Sequence, residues 1–255
     1  MATTEDSFAG ERRFKLTLHY DGAGFFGWQV QPGVRTVQAE LEAALTRLRN
    51  SPTTVIAAGR TDRGVHATGQ VASALMPAKW SAAELHRALN AILPDDIWVV
   101  SVEDVPDAFH ARYDATARSY LYRIGITADS VSPFYRRYCW PLATPLPLGA
   151  LNDAARRFLG KHSFRSFAKS GQPERGEVCT VTVAEWRQTE RAVEFHVTAD
   201  RFLHHMVRYM VGTMVDVARA RRPAGDVDLL LRGESALETS PPAPPEGLFL
   251  SHVSY

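Results

Sequence analysis

Hydrophobic and polar positions alternate along residues 13–20, where Phe14, Leu16, Leu18 and Tyr20 fall on one side, the pattern of a half-buried strand. The period then lengthens. Over 36–49, Val37, Leu41, Ala44, Leu45 and Leu48 share one helical face. Two short apolar runs, 54–58 and 70–75, read as strands around a glycine-rich loop. Ser81-Ala-Ala-Glu84 is a capping box that opens a helix through Leu93, and 97–105 returns to strand. The predicted order is βαββαβ.

The second half repeats that order. It predicts a strand over 116–126, a helix over 148–159 closed by Gly160, and a strand pair at 179–188 and 192–199. A helix over 202–219 turns Leu203, Val207, Met210, Met214 and Val217 inward. A short helix near 226–231, a proline-rich loop at 241–245 and a last strand over 248–253 complete it. The expected class is α+β: two duplicated ferredoxin-like βαββαβ units sharing a mainly antiparallel sheet, with an active-site cleft between the halves. The expected organisation is a flexible tail over 1–10, one half over 11–110 and another over 111–255.

Composition narrows the chemistry. With 45% hydrophobic residues the chain can bury a sizeable core, and a net charge of +1 excludes nucleic-acid binding through bulk charge alone. An RNA site would need local arginines, such as Arg60/Arg63, Arg136/Arg137 or Arg221/Arg222, although each pair also fits a solvated surface. Cys139 and Cys179 match neither a disulfide framework nor a zinc spacing. The N-terminal residues lack an apolar core of the signal-peptide kind. The stretch 202–218 carries His204, His205, Arg208 and Asp216, too polar to span a bilayer. A cytoplasmic protein without membrane attachment is expected.

The most unusual segment is Gly59-Arg-Thr-Asp-Arg-Gly-Val-His66, which continues Ala-Thr-Gly-Gln-Val71. Glycines at 59, 64 and 69 allow tight turns and close approach to a ligand. An acid between two arginines is favoured as the carboxylate, which suits nucleophilic or electrostatic work better than proton donation. The alternative is an Asx turn in which Asp62 bonds its own backbone. Residue chemistry alone leaves these two balanced.

The run GRTDRGVHATGQV resembles the signature loop of the tRNA pseudouridine synthase A family, in which the aspartate is the nucleophile. TLHYDGAGFFGWQVQPGVRTVQ, NAILPDDI, FHARYDATARSYLYRI, HSFRSF, FLHHMVRYMVGT and EGLFL resemble further family blocks in the same order, from about Phe14 to Val253. Two features depart from the pattern. Arg63 stands where many relatives carry a small residue, and the 169–177 loop is short.

The resemblance implies an isomerase that converts uridine to pseudouridine in the tRNA anticodon stem-loop, at tRNA positions 38–40, acting as a homodimer. It implies Asp62 as catalytic nucleophile. Tyr120 would stack on the uracil and assist proton removal, with Tyr122 in the core. Arg208 would be the cation paired with the aspartate. Arg60 would contact RNA. His66 is a substrate-binding candidate, weighed against a loop-bracing role. Phe25, Phe26 and Trp28 fit an RNA groove or the core equally well. No cofactor and no metal are expected, since neither a dinucleotide fingerprint, a P-loop nor a zinc spacing is present. Other RNA targets, or a non-catalytic RNA-binding module, are the alternatives.

Overall fold

The alternation over 13–20 becomes β1 (Glu11–Tyr20), in which Phe14, Leu16, Leu18 and Tyr20 are each at most 5% exposed. In the computed structural model, residues 10–169, 176–233 and 237–255 are described. They fall into two compact units, one running up to Ala115 and including Tyr255, the other Thr116–Ser254. Residues 1–9 of the expected tail, and 170–175 of the 169–177 loop, lie outside the described residues.

In the first unit β1 is central because both its neighbours take its backbone groups. It pairs antiparallel with β3 (His66–Pro77) on one side and β4 (Ile97–Val105) on the other. Between β1 and β3 the chain forms α1 (Val37–Arg49) and the short β2 (Ile56–Ala57), which pairs antiparallel with β3. Thr36 caps α1 by accepting the Ala39 N–H at 3.3 Å, and Asn50 ends it in the left-handed region at φ 60°. The helix buries Val37, Leu41, Ala44 and Leu45, each of the larger three contributing about 1.5–3 kcal/mol. The capping box forms as read, with the Ser81 and Glu84 side chains each taking the other's backbone N–H at the start of α2 (Ala82–Ile92). The chain order βαββαβ therefore gives the spatial order β4-β1-β3-β2.

The second unit repeats this permutation. Its β5 (Ala117–Gly125) lies between β9 (Ala192–Ala199) and β10 (Leu248–Ser254), and β8 (Val178–Gln188) flanks β9, all antiparallel. Two strands escape the sequence reading. β6 (Trp140–Pro141) pairs parallel with β5, and β7 (Gly160–Ser163) edges β8. The helices are α3 (Leu148–Arg156), α4 (Met206–Ala218) and α5 (Asp226–Arg232).

Several boundaries move for identifiable reasons. α3 stops at Arg156 because Arg157, Phe158 and Leu159 bond back three residues rather than four. α4 begins at Met206, not 202, because His205 turns the chain into the left-handed region at φ 64°. Val211, Thr213 and Val215 are buried along with Met210 and Met214, so α4 is enclosed on more than one face, while Val217 is only half-buried. β3 starts at His66, which puts Gly69 inside a strand rather than in the loop. Both cysteines are buried free thiols, and burial pushes Cys179 up to about 11, making it inert at neutral pH. No helix of the described residues is long and apolar enough to cross a membrane.

Candidate active site

The chain between β2 and β3 is held almost entirely by its backbone. Ala58 N–H reaches Val71 O at 2.8 Å, and the fully buried Gln70 donates from Nε2 to Gly59 O at 2.8 Å. At the tip, Val65 N–H closes a turn onto Asp62 O at 3.1 Å, with Gly64 at φ 79° supplying the left-handed step. The segment after β1 closes against this loop. Trp28 N–H donates to Thr61 O at 3.0 Å and Gly64 N–H to Phe25 O at 3.4 Å. The Tyr20 hydroxyl meets Thr61 Oγ1 at 2.8 Å; burial drives that phenol well above its usual range, so it stays a neutral hydrogen-bonding group.

Thr61 and Val65 are thereby buried while Asp62, between them, is half-exposed, and Arg60 and Arg63 point to solvent. A carboxylate is presented on a fixed backbone between two cations, the arrangement a nucleophile or electrostatic group requires. Arg63 stacks its guanidinium 4.2 Å from the Phe26 ring, and Phe26 is 41% exposed. Phe25 and Trp28, at 1% and 2% exposure, belong to the core.

His66 is 2% exposed and its Nδ1 accepts the Gly22 N–H at 3.0 Å. The same nitrogen lies 3.2 Å from Asp21 Oδ1. A lone pair that accepts from Gly22 cannot also donate, so the ring is assigned with its proton on Nε2, and Asp21 Oδ1 takes the Ala23 N–H instead. His66 is thus buried and bonded within the loop's own support, as the bracing role weighed from the sequence would have it. Gly22 is required here, since an added Cβ would stand 2.1 Å from Val65 O. Gly22→Ala forces the two segments apart, and we expect a loss of about 1–3 kcal/mol in thermal unfolding, with a parallel loss of function. An unchanged Tm would show that the two segments are not pressed together.

In the second unit, Tyr120, Tyr122 and Ile124 alternate onto one face of β5. Tyr122 is fully buried and donates its hydroxyl to Pro244 O at 2.7 Å; burial pushes the phenol up, with the Arg208 charge opposing. It is a core residue. Tyr120, paired between Val197 and Leu250, is partly exposed and meets Phe202 edge-on at 4.9 Å. Arg208, in the first turn of α4, donates from Nε to Ala243 O at 2.7 Å, and Ala243 N–H returns to Arg208 O at 2.9 Å. His204 precedes the helix, so it does not share a helical face with Arg208.

Arg60, Asp62 and His66 thus belong to the first unit, and Tyr120 and Arg208 to the second. Sequence reasoning missed Gly22, Gly27, where an added Cβ would stand 2.7 Å from Thr61 O, and the Tyr20–Thr61 bond. The only signal was the Asp21-Gly22 and Phe26-Gly27 pairs, which mark turns without naming what the turns press against.

A protein-family model described as tRNA pseudouridine synthase matches residues 17–114 and 154–255. Asp62 and Arg208 lie inside the matched blocks, and Tyr120 lies between them. A protein of Moorella thermoacetica named tRNA pseudouridine synthase A is 43% identical over 243 residues, 94% of this chain and 98% of its own length. One from Methylacidiphilum infernorum with the same name is 41% identical over 95% of each chain. One from an Exiguobacterium species, also so named, is 39% identical over 96% of this chain and 98% of its own.

Proposed function

The chain belongs to the tRNA pseudouridine synthase family, and from that premise we propose that it isomerises uridine to pseudouridine at positions 38–40 of the tRNA anticodon stem-loop, as a cytoplasmic homodimer. The observation that carries the reading is the match across both halves, which includes the loop that presents Asp62 on a fixed backbone. The β4-β1-β3-β2 order and its repeat around β5 support reading each unit as a ferredoxin-like half.

The reaction is an internal exchange. The C1′–N1 bond breaks, the base turns, and C1′ bonds to C5; the proton lost from C5 is balanced by one gained at N1. No electron carrier or second substrate enters. Asp62 supplies the carboxylate that engages the nucleoside. Tyr120 stacks on the uracil, and its hydroxyl takes part in moving the C5 proton. Arg208, held by the Ala243 carbonyl, supports the chemistry as a fixed positive charge. Arg60 meets RNA phosphate or the space left by the displaced base. A purely RNA-binding module would have no use for a half-exposed acid beside two arginines, because a carboxylate repels phosphate.

The test is incubation of the purified protein with unmodified tRNA transcripts, followed by pseudouridine mapping. Conversion at 38–40 is the expected result. Conversion confined to other positions overturns the assignment of target, and none at all overturns the activity.

Arg60 and Arg208 separate binding from chemistry. Arg60→Ala should lower tRNA affinity and flatten the log–log salt dependence by roughly 0.7–0.9 of a unit, the loss of one phosphate contact. Arg208→Ala should leave that slope intact and lower the single-turnover rate. A flattened slope with an intact rate for Arg208→Ala would exchange the two roles.

A further inference from the structure

Away from the residues discussed so far, the second unit contains a cavity of about 310 Å3 between the end of β5, the start of β9 and the turns that follow β5. It falls largely in the 115–153 stretch that lies between the two family-matched blocks. Gly125, Cys139 and Ala192 line it, and Phe134, Tyr135 and Tyr138 stand around it. Phe134 is 83% exposed and Tyr135 43%, an unusual display of aromatic surface for two adjacent residues.

Charge distinguishes this patch from an ordinary apolar one. The Arg191 guanidinium lies 4.9 Å from the Tyr135 ring, donates to the Tyr135 hydroxyl and sits 3.4 Å from Asp129. Arg123 lies over Phe249 at 5.4 Å and is bonded to Glu194 at 2.8 Å. Arg136 and Arg137 follow on the same turn as Tyr138, both exposed. Arg191 and Arg123 each have an acidic partner, and Arg136 and Arg137 add positive charge on the neighbouring turn.

Ser130, at 4% exposure, lines the cavity, and its Oγ has no hydrogen-bond partner. A buried hydroxyl left unsatisfied costs about 1–3 kcal/mol, so its presence here points to a partner from outside the chain. A volume near the lower end of the ligand-pocket range of about 300–1,000 Å3 suits one nucleoside and little more.

We propose that this cavity binds a single unpaired nucleotide of RNA, with the base against the aromatic rings, one base edge on Ser130 Oγ and the phosphate at the arginine rim. Aromatic faces bind bases by stacking, and arginine adds both charge and a planar surface, which together favour a polyanion over an apolar peptide. The proposal rests on the reading of RNA as substrate.

The test uses the whole chain with adenosine 5′-monophosphate and, separately, tRNA. The parent should bind the mononucleotide in the millimolar range, and inorganic phosphate more weakly. Ser130→Ala should keep or raise the Tm, since the hydroxyl it removes is unsatisfied, yet weaken both ligands about 3–10-fold. Phe134→Ala should weaken both as well, with the sedimented mass unchanged. Isomerisation at saturating protein should stay as in the parent for both variants. No mononucleotide binding by the parent, or unaltered affinity in Ser130→Ala, overturns the proposal. So does a Phe134→Ala variant that changes mass instead of affinity, because the patch would then be covered by a second copy. Failure of the parent to isomerise tRNA counts against the function alone, since the mononucleotide measurement does not depend on turnover.

Discussion

Asp62→Asn should lower uridine isomerisation by roughly 10⁴-fold or more, to the limit of detection, while tRNA affinity stays within a few-fold of the parent. The amide has the carboxylate's shape but neither its charge nor its nucleophilicity. The loop should survive the change because the bonds that shape it end on main-chain oxygens: Val65 N–H to Asp62 O, Trp28 N–H to Thr61 O, and Gln70 Nε2 to Gly59 O. An unchanged Tm alongside lost turnover separates chemistry from folding. Turnover within tenfold of the parent would remove Asp62 from the nucleophile's role.

Tyr120→Phe should bind tRNA normally and turn over about 10²–10⁴-fold more slowly, if the hydroxyl handles a proton. Stacking on a base, worth about 1–3 kcal/mol, remains in Phe and is lost in Ala, so Tyr120→Ala should fail in affinity too. The edge contact with Phe202 also persists in Phe, which keeps the strand's surroundings intact. Tyr122 provides the internal contrast two residues away. Tyr122→Phe leaves Pro244 O without its buried donor and should cost about 1–3 kcal/mol of stability with little change in rate. Full activity in Tyr120→Phe would reduce that residue to a stacking surface.

Periodicity was most informative where an element buries one clean face. β4 and β9 run over the residues their alternation marks out, and α2 starts at its capping box. It failed where tertiary contacts override local pattern. Leu203 keeps the helical spacing of α4 and is buried, yet it lies before the turn at His205. Two-residue β6 is too short to show alternation at all. Gly69 looked like a turn residue, but it lies inside β3, at the point where the pairing of β1 with β3 shifts register between Gln70 and Ala67.

The candidate site was legible in its acid and opaque in its support. Three glycines and two arginines around Asp62 mark the loop in the sequence itself. That Gly22 presses on Val65, or that Tyr20 holds Thr61, depends on segments about 40 residues apart meeting, and no local pattern encodes that. The cavity around Ser130 was equally hidden, because its aromatic residues sit in turns where neither helical nor strand period applies.

The segment Pro241–Ala243–Pro245 has an unusual backbone inventory. Four of its five residues are prolines without an N–H, and the one amide, that of Ala243, is given to Arg208 O. Its carbonyls are taken up as well, Ala243 O by Arg208 Nε and Pro244 O by the Tyr122 hydroxyl, while Pro241 O abuts Gly212. Irregular backbone ordinarily exchanges its amide hydrogens with solvent early and admits proteases readily. This stretch has a single exchangeable amide, locked to a buried helix, so deuterium should enter it at the pace of α4 itself, and a loop by shape should persist through local opening as part of the core.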